Sequence, residues 1–349
     1  MAMSNWRMPK FSYYINEDDV NIIIQIQSVL AAVCVLGMVY MAICFTKNRE
    51  KIKSLVDDIE VFEKFAGVDA IKIDQETNFY SKLLIGYSIA GMLIYSIAPL
   101  FVIDYCEQHK PKSMEQYGVP CSMIVRFRLP FRFDSWPMHQ VVFLYQFYVG
   151  SMTSILIVTI TVLICGIMMH IENQLKHLHR FMIDMVVKNN IEESRSRVRF
   201  AVQYHIEIIE YLKRVNEAFG SQVVLHFTLT SFVISVLGFE IIMVGNVPES
   251  LRYTLHLCGW VVLLYLLSYY GQRVMDEGFE VANAAYNGLW YTTSADIQKD
   301  IRLIIARSQQ PLTLKAMYLG SMTVSTFLKV IFDYKYFQSI FKNVFLGAE

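Results

Sequence analysis

Charge, proline, glycine and cysteine are all scarce in this chain. Asp, Glu, Lys and Arg make up 18% of its 349 residues, below the ~25% usual in soluble domains. That is too little polarity to clothe a soluble two-domain protein. Eight prolines and 16 glycines exclude a collagenous or low-complexity chain. Six cysteines over this length are not a disulfide scaffold. Basic and acidic residues balance at 31 each, so there is no electrostatic footprint for nucleic acid. What is plentiful is apolar surface, because the residues AVILMFWYC account for 54% of the chain. The composition is that of an integral membrane protein surrounded by lipid.

Crossing a ~30 Å hydrocarbon core takes about 20 apolar residues in a helix. Runs free of Asp, Glu, Lys and Arg occur at 20–46, 83–103, 135–171, 218–239 and 253–272. A sixth run, 316–328, is stopped by Lys329 and Asp333, although apolar character resumes as far as Phe345. The expected fold is therefore all-α, a polytopic transmembrane helical bundle of about six spans. Between spans, 172–217 and 273–315 keep apolar residues at helical spacing. Leu175, Leu178, Phe181 and Met182 mark the first, and Phe279, Ala282, Tyr286 and Leu289 the second. Both are expected to extend as cytoplasmic helices, with a polar tract at 188–196 breaking the first. The chain thus divides into an extracellular tail (1–19), three spans with an outer loop (20–171) and a cytoplasmic helical extension (172–217). Two further spans (218–272), a cytoplasmic anchor segment (273–315) and a last span (316–349) complete it.

With the amino terminus outside, the inner segments 47–82, 171–217 and 273–315 hold twenty Lys and Arg, and the outer segments hold ten. The positive-inside bias favours that orientation. Residues 1–19 have neither the apolar stretch nor the small-residue cleavage site of a signal peptide.

Catalytic signatures are missing. There is no G-x-S-x-G, H-E-x-x-H or C-x-x-C and no phosphate-cradling glycine loop, so neither an enzyme nor a cofactor is expected. His170, Glu172, His177 and His179 cluster beneath the third span. They read either as a metal site or as ordinary residues of a solvated helix end, and helical ligand pairs prefer i,i+4 spacing, which favours the second. His226 and His256 lie near span ends, where functional and packing roles both stand open. Cys106 and Cys121 share an outer loop, either bonded or as two free thiols. Cys34, Cys44, Cys165 and Cys258 sit in apolar runs as small packing residues.

Two features rise above this background. Lys329 and Asp333 stand at i,i+4 in the last span, with Thr323, Ser325, Thr326, Ser339 and Asn343 around them. A helix this polar either lines an aqueous pore or is buried in the bundle with a satisfied ion pair. The second feature is the dressing of the outer halves of the other spans. Gln25, Tyr95, Phe143, Tyr145, Phe147, Tyr148, Met152, Glu240, His256 and Trp260 belong to it. They form either an interfacial aromatic belt with core packing or a mostly apolar cleft with a few polar groups, which is how small-molecule sites are built. On the second reading the walls are Gln25, Tyr95, Phe147, Tyr148, Ser151, Met152 and Trp260, suited to a small apolar molecule with one oxygen.

The carboxyl-terminal hundred residues resemble the insect odorant receptor family. The stretches SYYGQRVMDEGFEVANAAYNGLWY (268–291), IRLIIARSQQPLTLKA (301–316) and MTVSTFLKVIFDYKYFQSIF (322–341) carry the likeness. Within them the specific matches are Ala285-Tyr286 with Trp290, Arg307-Ser308-Gln309 with Pro311, and Thr326-Phe327 with Tyr336-Phe337. Upstream, the loop FRLPFRFDSWPMHQVVFLYQ (127–146) and the basic stretch after Thr46 are similar to the family's counterparts. The family has seven spans and an inside amino terminus, so alignment from the carboxyl end leaves its first span without a counterpart. Its serine-rich end motif is replaced here by Asp333-Tyr334-Lys335-Tyr336-Phe337. The long inner insertion of the family's co-receptor is missing.

The resemblance implies a tuning subunit of a ligand-gated, non-selective cation channel in the plasma membrane of a sensory dendrite. Such subunits assemble with a co-receptor as heterotetramers, bind a small volatile odorant in the outer half of each bundle, and line a shared pore with the last span. It implies pore positions Asp333, Tyr336, Ser339, Ile340, Lys342 and Asn343, with Ser339 or Ile340 at the gate. Phe279, Tyr286 and Trp290 are the expected subunit contacts, because the inner segments are too apolar for solvated stalks. A related gustatory-type receptor would carry a Thr-Tyr…Gln-Phe end motif, which is not found. A transporter would show Gly- or Pro-interrupted helices in paired positions, and the chain has none.

Overall fold

The computed structural model describes residues 17–65, 70–108, 114–115, 118–127, 131–243, 247–317 and 320–332. Among them the chain is helical, with one isolated backbone bridge between Lys315 and Ser321. The order is α1 (Glu17–Lys47), α2 (Arg49–Asp57), a 3-10 turn (Asp58–Lys64), α3 (Ala70–Ile97) and a second 3-10 turn (Ala98–Val102). There follow α4 (Ile103–Gln108), α5 (Met138–Ile183), α6 (Ile191–Met243), α7 (Val247–Asn287), a 3-10 turn (Trp290–Thr292) and α8 (Ala295–Ser308). A final helical stretch, α9, occupies 324–332, where the described residues end.

Among the described residues five helices are long and apolar enough to cross a membrane, and each overlaps one of the five uninterrupted runs. Helices α5, α6 and α7 have 46, 53 and 41 residues. At 1.5 Å per residue they are about 60–80 Å long, at least twice the bilayer core. The surplus forms the helical extension anticipated at 172–217 and the first part of 273–315. On the outer faces of α1 and α3, Leu36, Val39, Ile43, Leu83, Ile85 and Ile89 are all exposed. A belt of that kind is costly against water and neutral against lipid tails.

The expected break in 172–217 falls at 184–190. Asn189 takes a left-handed φ of 63°, which Asn tolerates better than most residues. Asn190 then caps α6, its Oδ1 accepting the Glu193 N–H at 3.1 Å. Below the bundle, α2 and its 3-10 turn dock on α6 through rings. Phe62 meets Tyr211 and His170 edge-on, both at 5.3 Å, and Tyr211 Oη donates to the Leu55 carbonyl at 2.8 Å.

The suggested metal cluster is dispersed among other partners. Glu172, only 5% exposed, accepts from Arg273 Nε at 2.9 Å and also pairs with Arg273 Nη2 and Lys176. His177 packs against Tyr204, and His179 faces Glu277 at 3.4 Å. Among the described residues no three His, Cys, Asp or Glu could hold a metal together. Cys121 is disulfide-bonded, whereas Cys34, Cys44, Cys165 and Cys258 are free thiols. The side chain of Cys106 lies outside the described residues.

Within the anchor segment 273–315, α7 ends at Asn287 and α8 starts afresh at Ala295. One boundary needs correction, because the last helix begins eight residues later than its charge-free run. Residues 312–317 and 320–323 run back along each other as a narrow hairpin, with Ala316 N–H bonded to Gly320 O and Met322 N–H to Leu314 O, both at 2.8 Å. Gly320 supplies the turn with a φ of 112°. Asn216 of α6 holds the hairpin, its Nδ2 donating to Thr313 O at 3.0 Å and its Oδ1 accepting from Lys315 N–H at 2.7 Å. Hydropathy alone reads this apolar hairpin as helix.

Candidate functional site

A cleft of about 330 Å³ opens between α1, α3, α5 and α7, roofed by residues 124–127 of the outer loop. Each helix presents one face to it. Helix α1 contributes Gln27, Leu30, Ala31, Cys34 and Met38, and α3 contributes Leu84, Tyr87, Ser88, Gly91, Met92 and Tyr95. From α5 come Tyr145, Gln146, Val149, Gly150, Thr153, Ser154 and Ile157, and from α7 Arg252, His256, Gly259, Trp260 and Leu263. Glu240 reaches in from α6. Most of this surface is apolar, and the inner end around Met38, Leu84, Ile157 and Leu263 is wholly so.

The charged groups and the amides gather at the outer end, and the hydroxyls of Ser88, Thr153 and Ser154 line the middle. Arg252 is 3% exposed, and burial of a guanidinium demands compensation. Its Nη2 donates to Tyr253 Oη at 2.9 Å, its Nη1 to the Ile124 carbonyl at 3.4 Å, and its plane lies 4.6 Å from the Tyr95 ring centre. Gln27 Nε2 donates to the same Tyr253 oxygen, tying α1 to α7. An ion pair between Arg126 and Glu249 stands alongside. Trp260 Nε1 donates to His256 Nε2 at 2.9 Å, and the Tyr95 ring meets His256 edge-on at 5.0 Å. The roof is latched by Gln146. Its Oε1 accepts the N–H groups of Ile124 and Val125 at 3.1 and 3.2 Å, and its Nε2 donates to Val125 O at 2.9 Å.

Of the seven wall residues expected from the sequence, Tyr95 and Trp260 line the cleft. So do Tyr145, Glu240 and His256 from the wider set. Gln25, Phe147, Tyr148, Ser151 and Met152 do not. On α5 the last four share the face opposite the cleft, where Tyr148 is 61% and Met152 49% exposed, and Ser151 Oγ bonds back to the Phe147 carbonyl at 2.7 Å. Gln25 is exposed on α1, whereas Gln27 turns inward. The missed signal was polarity within apolar runs. Gln27 and Gln146 face protein partners, but Gln25 in the same run as Gln27 is exposed, so that polarity marks an inward side only once the partners are known.

The expected pore residues Asp333, Tyr336, Ser339, Ile340, Lys342 and Asn343 lie outside the described residues. Lys329 is on α9 and exposed. Of the expected subunit contacts, Tyr286 is 64% and Phe279 37% exposed. Trp290 is half-buried, its Nε1 bonded to the Tyr286 carbonyl at 3.0 Å and its ring beneath Arg302. His226 belongs to a buried hydrogen-bond cluster, 3.0 Å from Thr161 and 3.2 Å from Thr230, away from the cleft.

Comparison with known proteins agrees with this architecture. Odorant receptor 85b of Drosophila melanogaster is 26% identical over 74% of this chain and 66% of its own length. Odorant receptor 85c of the same fly is 22% identical over 87% of this chain and 78% of its own. An odorant receptor coreceptor from Ooceraea biroi is 22% identical over 39% of this chain and 29% of its own. Among solved structures, the insect olfactory receptor OR5 from Machilis hrabei in complex with eugenol superposes with a TM-score of 0.70. That likeness covers 97% of this chain and 93% of the other at 16% identity, so it speaks for the fold. These relatives are receptors rather than enzymes. The sequence signature described as 7tm Odorant receptor matches residues 21–332, and the chain belongs to that family.

Proposed function

We propose that this chain is the odorant-sensing subunit of a ligand-gated, non-selective cation channel in the plasma membrane. A small volatile molecule occupies the cleft, and its binding opens a pore shared with a co-receptor subunit. The observation that carries this reading is the cleft itself: mostly apolar, polar at one end, and framed by four membrane helices. Concave apolar pockets with a few fixed polar groups are the usual form of small-molecule sites. Solved relatives of the same fold include one in complex with eugenol.

The path from cleft to pore runs along α7. This helix lines the cleft from Arg252 to Leu263 and then reaches Gly271, where the backbone of Met322 at the root of α9 rests on it. Tyr265 of α7 and Phe327 of α9 are also in ring contact at 5.5 Å. A ligand that favours one placement of α7 therefore biases the last helix, and differential affinity for the two placements is all that gating requires. Asp333, Tyr336, Ser339, Ile340, Lys342 and Asn343 are the proposed pore-lining positions. Phe279, Tyr286 and Trp290 are the proposed contacts with neighbouring subunits.

The test is odorant-evoked current from cells expressing this chain with and without the co-receptor. Current that needs both subunits, and that is abolished by Gly259→Trp with surface expression retained, supports the proposal. Unchanged responses in Gly259→Trp would place the ligand elsewhere.

A further inference from the structure

The outer end of the cleft holds more hydrogen-bonding capacity than the protein itself uses. Gln27 Oε1, Glu240 Oε1, Arg252 Nε and His256 Nδ1 are each buried without a hydrogen-bond partner. All four side chains line the cleft. Gln27, Glu240 and Arg252 are at least nine-tenths buried, at 5%, 1% and 3% exposure. A buried polar atom left unpaired is destabilising, and four at one end of one cavity is a concentration that wants an occupant.

The set has both signs. Trp260 is a donor only, so the nitrogen of His256 that it meets, Nε2, is the acceptor, and the proton of the neutral ring belongs on Nδ1. His256 Nδ1–H and Arg252 Nε–H are thus spare donors, while Glu240 Oε1 and Gln27 Oε1 are spare acceptors. Formal charge at this end cancels: Arg252 and Arg126 are matched by Glu240 and Glu249, the latter already paired with Arg126. A charged ligand would leave one charge uncompensated in a dry site. Opposite this end, the cleft has only apolar walls around Met38, Leu84 and Leu263.

On the reading of the cleft as the odorant site, we infer that its preferred ligands are neutral alcohols: an apolar body with a hydroxyl set among Gln27, Glu240, Arg252 and His256. A hydroxyl donates one hydrogen bond and accepts others, so it meets both spare sets at once. Ethers, esters and ketones accept only and leave Glu240 and Gln27 unpaired. A hydrocarbon satisfies none of the four. Sites built to pair a hydroxyl discriminate strongly against analogues lacking it, because their own polar groups are then stranded.

The experiment compares ligands of matched skeleton on cells expressing the full chain with its co-receptor. The two series are 1-octanol, octyl methyl ether, octanoic acid and nonane, and 2-phenylethanol, its methyl ether, phenylacetic acid and propylbenzene. In at least one series the alcohol should act at a half-maximal concentration ten-fold or more below the other three. Glu240→Met and, separately, Gln27→Met each remove one of the spare acceptors that only a hydroxyl can use. Each should therefore cut that advantage several-fold while responses to the ether persist, with surface expression measured by a tag. Persistence of ether responses shows that the variants fold. The inference is overturned if in both series the acid, ether or hydrocarbon matches the alcohol, if neither alcohol acts, or if the advantage survives both substitutions. Gly259→Trp separates the two levels. If it silences every ligand while alcohols show no preference, the cleft is the odorant site and only the ligand class is wrong.

Discussion

The carbonyl oxygen of Met322 lies 2.2 Å from the point where a Cβ on Gly271 would stand. Backbone therefore rests directly on backbone where the root of α9 crosses α7, and only glycine permits the approach. Gly271→Ala forces one of the two helices to move, because a carbonyl cannot swing aside as a flexible side chain can. Overpacking of this kind costs about 1–3 kcal/mol, more than the ~1 kcal/mol that alanine gains in helix propensity. We expect a lower thermal midpoint and loss of most odorant-evoked current. Gly86→Ala, whose Cβ would meet nothing within 4 Å, is the control and should leave the midpoint unchanged or raised. Full current in Gly271→Ala would show that α7 and α9 do not depend on this contact.

The second close approach sets the size of the cleft. A Cβ at Gly150 would stand 2.6 Å from the Met92 methyl. Here the obstacle is the far end of a flexible side chain, so Gly150→Ala should cost little stability and push Met92 into the cavity. The expected outcome is a selective loss of the bulkier ligands, with half-maximal concentrations of the smallest changed less than threefold. Gly150→Ala combined with Met92→Ala should restore the bulky ligands, and the non-additivity of that cycle is the readout.

What the sequence could tell stops at the phase of each helix. Lipid imposes about 20 apolar residues per crossing, so five spans were plain in 20–46, 83–103, 135–171, 218–239 and 253–272. Lipid imposes no polar face, however. Across 138–160 of α5 there is no Asp, Glu, Lys or Arg, and nothing in Phe147 or Tyr148 says whether it meets lipid or the cleft. Gln146 does face inward, but its partners are backbone groups of Ile124 and Val125 more than 20 residues away, whereas Gln140 of the same helix is exposed. Gln27 finds Tyr253 across 226 positions. The hairpin at 312–323 was hidden likewise, because Asn216, which holds it, lies about a hundred residues upstream.

The Gln146 latch gives a third test. Gln146→Leu removes three hydrogen bonds and strands the Ile124 and Val125 N–H groups beneath the roof. A net loss of about 1–3 kcal/mol is expected, seen as a lower thermal midpoint and faster proteolysis of the outer loop. Gln146→Glu keeps the accepting oxygen and loses the donor, so it should fall between wild type and Gln146→Leu. Equal midpoints for all three proteins would remove the latch from the account.

At the inner face, Glu172 joins α5 to α7 through Arg273. The carboxylate is 6% exposed and the guanidinium 39%. Arg273→Ala leaves a buried charge with Lys176 as its remaining cation, which costs more than breaking an exposed pair. Because Arg273 is partly solvated the loss is discounted to about 1–2 kcal/mol. The surface pair Arg195–Asp296, with exposures of 36% and 51%, is the comparison, and Arg195→Ala should change stability by less than about 0.5 kcal/mol. If Arg195→Ala proved the more damaging, burial of Glu172 would not be what gives its ion pair weight.

The last prediction concerns assembly. Tyr286, Trp290 and Tyr291 form a run of rings with centroids 6.3 and 6.4 Å apart, and both tyrosines are 64% exposed in the single chain. Exposed aromatics clustered at one end of the bundle suit the proposed subunit interface, where large rings dominate binding. Trp290 is a poor first target, because its indole bonds to the Tyr286 carbonyl and lies beneath Arg302, so its removal would disturb the fold as well. Tyr286→Ser and Tyr291→Ser leave no internal cavity. They should keep the thermal midpoint of the isolated chain while lowering co-purification with the co-receptor several-fold, and more so together. If the double variant assembles as wild type does, the ring cluster faces solvent or lipid in the assembled channel and the contact lies elsewhere on the subunit.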